Sequence, residues 1–468
     1  MKIKHHELEI QQEAPFANCK LERQQYAEVL TEIVELYSDG FVLAINNEWG
    51  TGKTTFVKMW QQHLKNNDFK TVYFNAWEND FDSNPLVAIM SELKPLINSE
   101  NKEVFKSVIS KGAVLAKNVA PAVIKAVAKK YIDVEEVLDA IENTAKGATE
   151  IFEEEIQEYT KKKKSIVDFR KELEKFVKKT DSSKPLIFII DELDRCRPDY
   201  AVDVLEQMKH FFSVPGIVFV LSIDKNHLAS SVRGYYGSEN INTDEYLRRF
   251  IDLEYSIPIP SNKAFCDYLY KYYAFDEFFS SNQRNQDTRL SDEGFLFLKI
   301  AEILFEKSNA TLRQQEKVFA HGRLVLRAFK ANSHIFSYLL FILIYIKKLN
   351  NKLYRDIENQ LLTLQELSDA FTDLVPSPED YRDINFTFIQ AILIMFYNKS
   401  FDYNKRKELI VVDNDGNKSL IITSKLENGK ERSKLLQYIE KNQNDRIYDN
   451  TPLNYLLNKI NLTETLKV

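Results

Sequence analysis

The sequence has 468 residues, of which 44% are hydrophobic and 28% charged, enough apolar material for roughly two to four packed domains and too much for a disordered chain. Its 12 glycines and 12 prolines are too few for collagen or for turn-dense all-β repeats, and they favour helices. The 69 acidic residues outnumber the 63 basic ones, which excludes bulk affinity for nucleic acid and leaves only a local basic patch for any such contact.

Met1–Phe16 is mixed and polar, without the basic start and apolar stretch of a signal peptide. Arg23–Tyr37 carries apolar residues at helical spacing. Phe41–Ile45 is a short apolar run that reads as a buried strand, followed by a helix over Thr54–Leu64. Thr71–Phe74 reads as a second strand, and Pro85–Lys179 as a long helical stretch. Val104–Val127 is apolar but interrupted by Lys106, Lys111, Lys117 and Lys125; each lysine at mid-bilayer costs about 3 kcal/mol, so no transmembrane segment is expected there. The basic run Lys161–Lys164 reads as a solvated helix face, with a phosphate-binding patch as the other reading.

Leu186–Ile190 and Gly216–Ile223 are further buried strands, Leu253–Ile257 is a fifth, and Asp199–Phe212 is a helix. Strands alternating with helices imply a parallel sheet covered on both faces. Beyond Pro260 the pattern turns helical, with helices over Cys266–Phe279, Ser291–Lys307, Asn309–Ala331, Ile335–Leu349, Leu361–Phe371 and Asn385–Tyr397. A hairpin closes the series, Glu408–Val412 and Leu420–Thr423 around the turn Asp413–Asn417, which lacks calcium-loop spacing. The apolar run Ile335–Ile346 is too short to span a bilayer. Cys19, Cys196 and Cys266 are too scattered for disulfides or zinc, and a reducing cytoplasm is the expected compartment.

The informative segment is Ile45-Asn-Asn-Glu-Trp-Gly-Thr-Gly-Lys-Thr-Thr55, set between a strand and a helix. Gly50 and Gly52 let backbone approach phosphate closely, and successive N–H groups of Asn47, Glu48, Trp49, Gly50, Thr51, Gly52, Lys53, Thr54 and Thr55 can face it, aided by the helix N-terminus. Lys53 suits the β- and γ-phosphates, and Thr54 offers a hydroxyl to Mg²⁺. Asn47 stands where the pattern Gly-x4-Gly-Lys-Ser/Thr has its first glycine; asparagine tolerates the left-handed region, so the turn is expected to survive. Asp191 and Glu192 end the third strand, suited to a metal ligand and a base that activates water.

These residues resemble the KAP family of P-loop NTPases. The resemblance rests on Glu48–Thr55, Phe74-Asn-Ala-Trp77, Ile189-Ile-Asp-Glu-Leu-Asp-Arg-Cys-Arg-Pro198, Phe219–Lys225 and Tyr246–Asp252, and covers roughly residues 15–330. It implies an α/β fold: a parallel P-loop NTPase sheet of the additional-strand type flanked by helices, with core segments 15–84 and 180–260, a helical insert 85–179, a helical lid domain 261–400 and an extension 401–468 carrying the hairpin. Many family members carry transmembrane helices in the insert; the lysines here imply a soluble one. Bacterial members serve in phage exclusion and multi-gene defence, such as the ATPase of the Qat type.

Arginines near Arg248 and Arg249 in related ATPases reach the γ-phosphate of a neighbouring subunit, Arg249 being the preferred finger; pairing with Asp244 or Glu245 is the plain alternative. Asp224 suits either a polar sensor or a helix cap, and Arg313 either a lid sensor or a surface arginine. Trp49 and Trp77 read as core aromatics, Arg23 as support for an adenine pocket, Arg195 as a family-motif residue whose role stays open, a structural one among the options, and Cys196 as no nucleophile. The expected function is a Mg²⁺-dependent ATP hydrolase that switches assembly or signalling with partner proteins, defence-system subunits or further copies of itself. Its rivals are an ATP-binding scaffold with little hydrolysis and a nucleic-acid sensor or motor.

Overall fold

The computed structural model describes residues 9–37, 40–81, 84–115, 148–180, 183–208, 214–287, 289–376, 383–427, 433–449 and 451–462. The chain forms two compact units, Glu7–Ile259 and Pro260–Val468.

In the first unit, β1 (Phe41–Asn46), β2 (Thr71–Asn75), β3 (Leu186–Asp191), β4 (Ile217–Ile223) and β5 (Leu253–Tyr255) make one parallel sheet in the order β2-β3-β4-β1-β5. β4 lies between β1 and β3, the additional-strand arrangement. The strands read as unbroken apolar runs because both faces are buried. Alternate residues serve opposite faces. Val42, Ala44, Phe74, Phe188 and Phe219 point to one side, and Leu43, Ile45, Ile187, Ile189 and Val220 to the other. Helices α1 (Gln24–Leu36) and α2 (Lys53–Asn66) cover the second face, where buried Trp60 donates to Thr31 at 3.0 Å.

The first face is covered by α3 (Pro85–Ser91), α4 (Lys102–Leu115), α5 (Ala148–Lys178), α6 (Pro198–Met208) and α7 (Lys225–Tyr236); α8 (Thr243–Leu247) precedes β5. The expected long helical stretch is thus in pieces. Pro95 sits in a short 3-10 turn, and the Asn98 and Asn101 side chains donate to the Lys179 carbonyl at 3.0 and 3.3 Å, tying the start of α4 to the end of α5. Phe105, Val108, Phe169, Leu173 and Phe176 of these helices join the core on that face, each buried ring or branch worth about 1.5–3 kcal/mol. On α5, Lys163 and Lys164 are exposed, and Lys175 and Lys178 pair with Glu172 and Glu174 at 2.7 and 2.6 Å, a solvated helix face. The C-terminal half of Val104–Val127, from 116 onward, lies outside the described residues, as do 209–213 at the end of the expected helix Asp199–Phe212. Among the described residues, no helix is long and apolar enough to cross a membrane.

The second unit is helical, with α9 (Asn262–Tyr272), α10 (Phe275–Phe279), α11 (Glu293–Lys307), α12 (Leu312–Leu326), α13 (Ser337–Leu349), α14 (Leu364–Leu374) and α15 (Phe386–Ser400) among its elements. The single helix expected over Cys266–Phe279 breaks because Ala274 takes φ 52°, a left-handed residue that ends one helix and starts the next. Phe275, Phe297, Phe319 and Phe341 pack edge to face at its centre. Arg284 and Glu293 form a fully buried ion pair; Arg284 also donates to the carbonyls of Ala331 and Ser333 at 3.0 Å, and Glu293 accepts from the Ile335 N–H at 3.1 Å. The hairpin is present as β6 (Ile410–Val412) and β7 (Lys418–Leu420), its second strand two residues earlier than the apolar pattern suggested because Ile410 pairs with Leu420.

Candidate phosphate-binding site

The loop Asn47–Gly52 leaves the C-terminal end of β1 and enters α2, the position where open parallel sheets hold ligands. Gly50 and Gly52 take φ 84° and 82°, which only glycine adopts without strain. A Cβ on Gly52 would also meet the Arg23 guanidinium at 3.0 Å. Among the described residues, the N–H groups of Gly50, Thr51 and Gly52 carry no hydrogen bond. They form, with the start of α2, a cradle of donors for an anion. The Lys53 ammonium, nearly buried, donates to the carbonyls of Asn47 and, at 3.3 Å, Glu48. Burial lowers its pKa, against the opposing pull of Asp194, Asp224 and Asp191.

Asn47 corrects an expectation. It is not left-handed. Its side-chain amide instead pairs both ways with the backbone of Ile257, donating to the carbonyl at 2.8 Å and accepting from the N–H at 2.9 Å. The residue holds its place by what its side chain bonds, which ties the loop to the segment after β5. Arg23, read from the sequence as support for an adenine pocket, contacts the phosphate loop itself. It is 5% exposed and donates to the carbonyls of Thr51 and Gly52 at 2.7 and 3.2 Å, bracing the loop from behind.

β3 brings Asp191 and Glu192 beside the loop. Asp191 is buried, accepting from the Tyr73 hydroxyl at 2.8 Å and from the Glu192 N–H at 2.9 Å. Glu192 takes φ 63°, a left-handed conformation costing an ordinary residue about 1–2 kcal/mol. Its carboxylate meets Arg195 at 2.7 Å, Thr54 at 3.4 Å and Asn75 at 3.4 Å. Burial raises its pKa, with Arg195 opposing. Ser222 of β4 lies level with Asp191 and Ile45, and its buried hydroxyl has no partner among the described residues.

Trp49 and Trp77 are not core residues; they are 39% and 51% exposed. The Arg195 guanidinium lies over both rings, at 6.0 and 5.7 Å. Trp49 also stacks on His227 at 3.7 Å and donates its indole N–H to buried Asp194. Asp224 caps α7 through the N–H groups of Asn226 and His227, and accepts from the Trp49 N–H at 3.2 Å, so it acts as a cap that also grips the loop. Cys196 is buried with its thiol pushed up by that burial, unfit as a nucleophile.

Arg248 and Arg249 are not brought to the loop within this chain. Asp252, just after them, bonds to Val42 at the start of β1, the opposite edge of the sheet. Both are exposed; Arg248 lies 3.6 Å from Glu245, whereas the Arg249 side chain makes no hydrogen bond or ion pair among the described residues. Arg313 is exposed on α12 in the second unit. The contacts that sequence reasoning missed are those of Tyr73, Asn75, Arg195 and Ser222; all but Tyr73 stood in a quoted motif, yet none was given a partner there.

A parallel sheet of this order, with a glycine-bracketed lysine loop on β1 and an Asp-Glu pair on β3, defines a P-loop nucleotide-binding protein. The KAP family P-loop domain matches residues 23–375, and the chain belongs to that family. An uncharacterized protein of Methanocaldococcus jannaschii is 30% identical over 175 residues, covering 33% of this chain and 89% of that protein. Among solved structures, the Aeropyrum pernix ORC2 protein in its ADPNP-ADP complexes aligns over 94% of this chain and 95% of its own, at 14% identity and a TM-score of 0.34.

Proposed function

We propose that this P-loop protein hydrolyses ATP and uses the cycle as a switch. The observation that carries the reading is the convergence of Lys53, the open N–H cradle, Asp191 and Glu192 at one edge of the sheet. Lys53 would leave the loop carbonyls for phosphate oxygens. Glu192 would take the proton of the attacking water, and Tyr73 would hold Asp191 in place. The all-oxygen set of Thr54 and Asp191 fits Mg²⁺, which would neutralise charge on the transferred phosphoryl group. Arg249, exposed and without an ion pair among the described residues, is the group offered to a second copy's nucleotide. The KAP resemblance supports extending the reading to partner proteins and anti-phage defence.

The test is Mg²⁺-dependent ATP hydrolysis over a range of protein concentrations. Lys53→Ala should lose ATP binding. Glu192→Gln should keep binding and lose about 10²–10⁴ in turnover. Arg249→Ala mixed with Lys53→Ala should recover part of the activity if the arginine acts between copies. ATP binding that survives Lys53→Ala unchanged would overturn the site. The pairing of Glu192 with Arg195 favours slow basal turnover, the feature shared with the rival reading as an ATP-binding scaffold.

A further inference from the structure

We infer that Arg195 is a positioning residue that holds Glu192 off its task as base, and that Trp49 makes this hold responsive to the phosphate loop; the inference rests on the ATPase reading above. A general base must aim a free lone pair at the water it activates. Here one carboxylate oxygen of Glu192 is engaged by the Arg195 guanidinium at 2.7 Å, a charge-assisted bond of the strong kind. Arg195 has little freedom to leave. It follows Glu192 by one turn of 3-10 helix, and its guanidinium lies over the rings of Trp49 and Trp77.

Each ring is anchored to a different part of the site. Trp49 belongs to the phosphate loop itself and is fixed by Asp224 and Asp194. Trp77 follows β2, its backbone N–H donating to the Asn75 side chain at 3.1 Å, and the same Asn75 side chain reaches the second oxygen of Glu192 at 3.4 Å. The guanidinium therefore joins the loop, the end of β2 and the base. A nucleotide that shifts Trp49 removes one of the two rings that hold Arg195 and so frees Glu192. Trp49 and Trp77 are 39% and 51% exposed, which leaves room for that movement.

The test uses the full chain with ATP and a non-hydrolysable ATP analogue, comparing wild type, Arg195→Met, Arg195→Lys and Trp49→Phe. Arg195→Met should raise kcat about tenfold at unchanged KM and unchanged analogue affinity, a fraction of what a freed base supplies. Arg195→Lys, which keeps the charge, should fall between it and wild type. Analogue binding should change the tryptophan emission of wild type, since Trp49 and Trp77 are exposed and Trp60 is fully buried, and should change it less in Arg195→Met. A lower kcat with a higher KM would mean that Arg195 touches the nucleotide, and would overturn the inference. So would unchanged kinetics with an unchanged emission response, or analogue binding by both proteins with no turnover in Arg195→Met. Failure of wild type to bind the analogue would instead sink the nucleotide reading, and the latch with it.

Discussion

The phosphate loop carries asparagine where the usual pattern has glycine, and the structure turns this into a quantitative prediction. The Asn47 amide satisfies both the N–H and the carbonyl of Ile257, at 2.9 and 2.8 Å, and Ile257 is 2% exposed. Replacing Asn47 with glycine removes both bonds and strands two backbone groups. At about 1–2 kcal/mol for each, the loss is about 2–4 kcal/mol, and the freer glycine backbone adds up to about 1 kcal/mol. Asn47→Gly should therefore be worse than Asn47→Ala, although glycine is the residue the motif asks for. All three tryptophans, Trp49, Trp60 and Trp77, lie in the first unit, so their emission during urea or thermal unfolding reports on that unit alone. For a unit of this size the expected fall in melting temperature is roughly 5–15 °C. A glycine variant at or above wild-type stability would refute the argument and return the loop to a simple left-handed turn.

Three further outcomes follow from the same reasoning. Arg23→Met removes charged donors from the Thr51 and Gly52 carbonyls and should weaken ATP binding about tenfold by calorimetric titration; unchanged affinity would show that the brace is idle. Arg284→Met leaves Glu293 buried without its cation and should cost about 3–5 kcal/mol in the second unit, read by circular dichroism. The Arg284→Met/Glu293→Leu double variant should recover much of that loss, and a double variant as unstable as the single would refute the pairing argument. His321, half-buried and bonded to the Ile460 carbonyl at 2.9 Å, is held neutral by its desolvation, its pKa lowered from 6.5 to about 4. A depressed folded-state pKa gives stability that is complete above pH 6.5 and is lost as pH falls towards 4, here on the order of 3 kcal/mol. His321→Gln should flatten the wild-type dependence of melting temperature across that window, and an equal slope in both proteins would count against it.

What was legible in the sequence was local. β1, β3 and β4 announce themselves as apolar runs because a sheet covered on both faces asks for apolar side chains at every position, and the loop from Gly50 to Thr54 is legible because a phosphate cradle is built from consecutive backbone groups. The breaks in the insert and at Ala274 were harder to see. Asn98, Asn101 and Ala274 act through a cap to a distant carbonyl or through a single left-handed residue, and neither disturbs helical periodicity.

The surroundings of Glu192 were the least legible part, since they are made of partners far apart in the chain. Trp49 and Trp77 read as core because their apolar area usually earns burial. In the fold the two rings meet Arg195, and Trp49 also His227, and both residues stay partly exposed. Asn47 was weighed for its backbone and turned out to matter for its amide. Arg195 stands three residues from Glu192, yet its geometry depends on rings from the phosphate loop and from the end of β2, which only the parallel pairing of β1, β3 and β2 through β4 brings together. A motif can therefore locate the loop and Glu192, but which partners that carboxylate meets is decided by tertiary contacts that no spacing rule encodes.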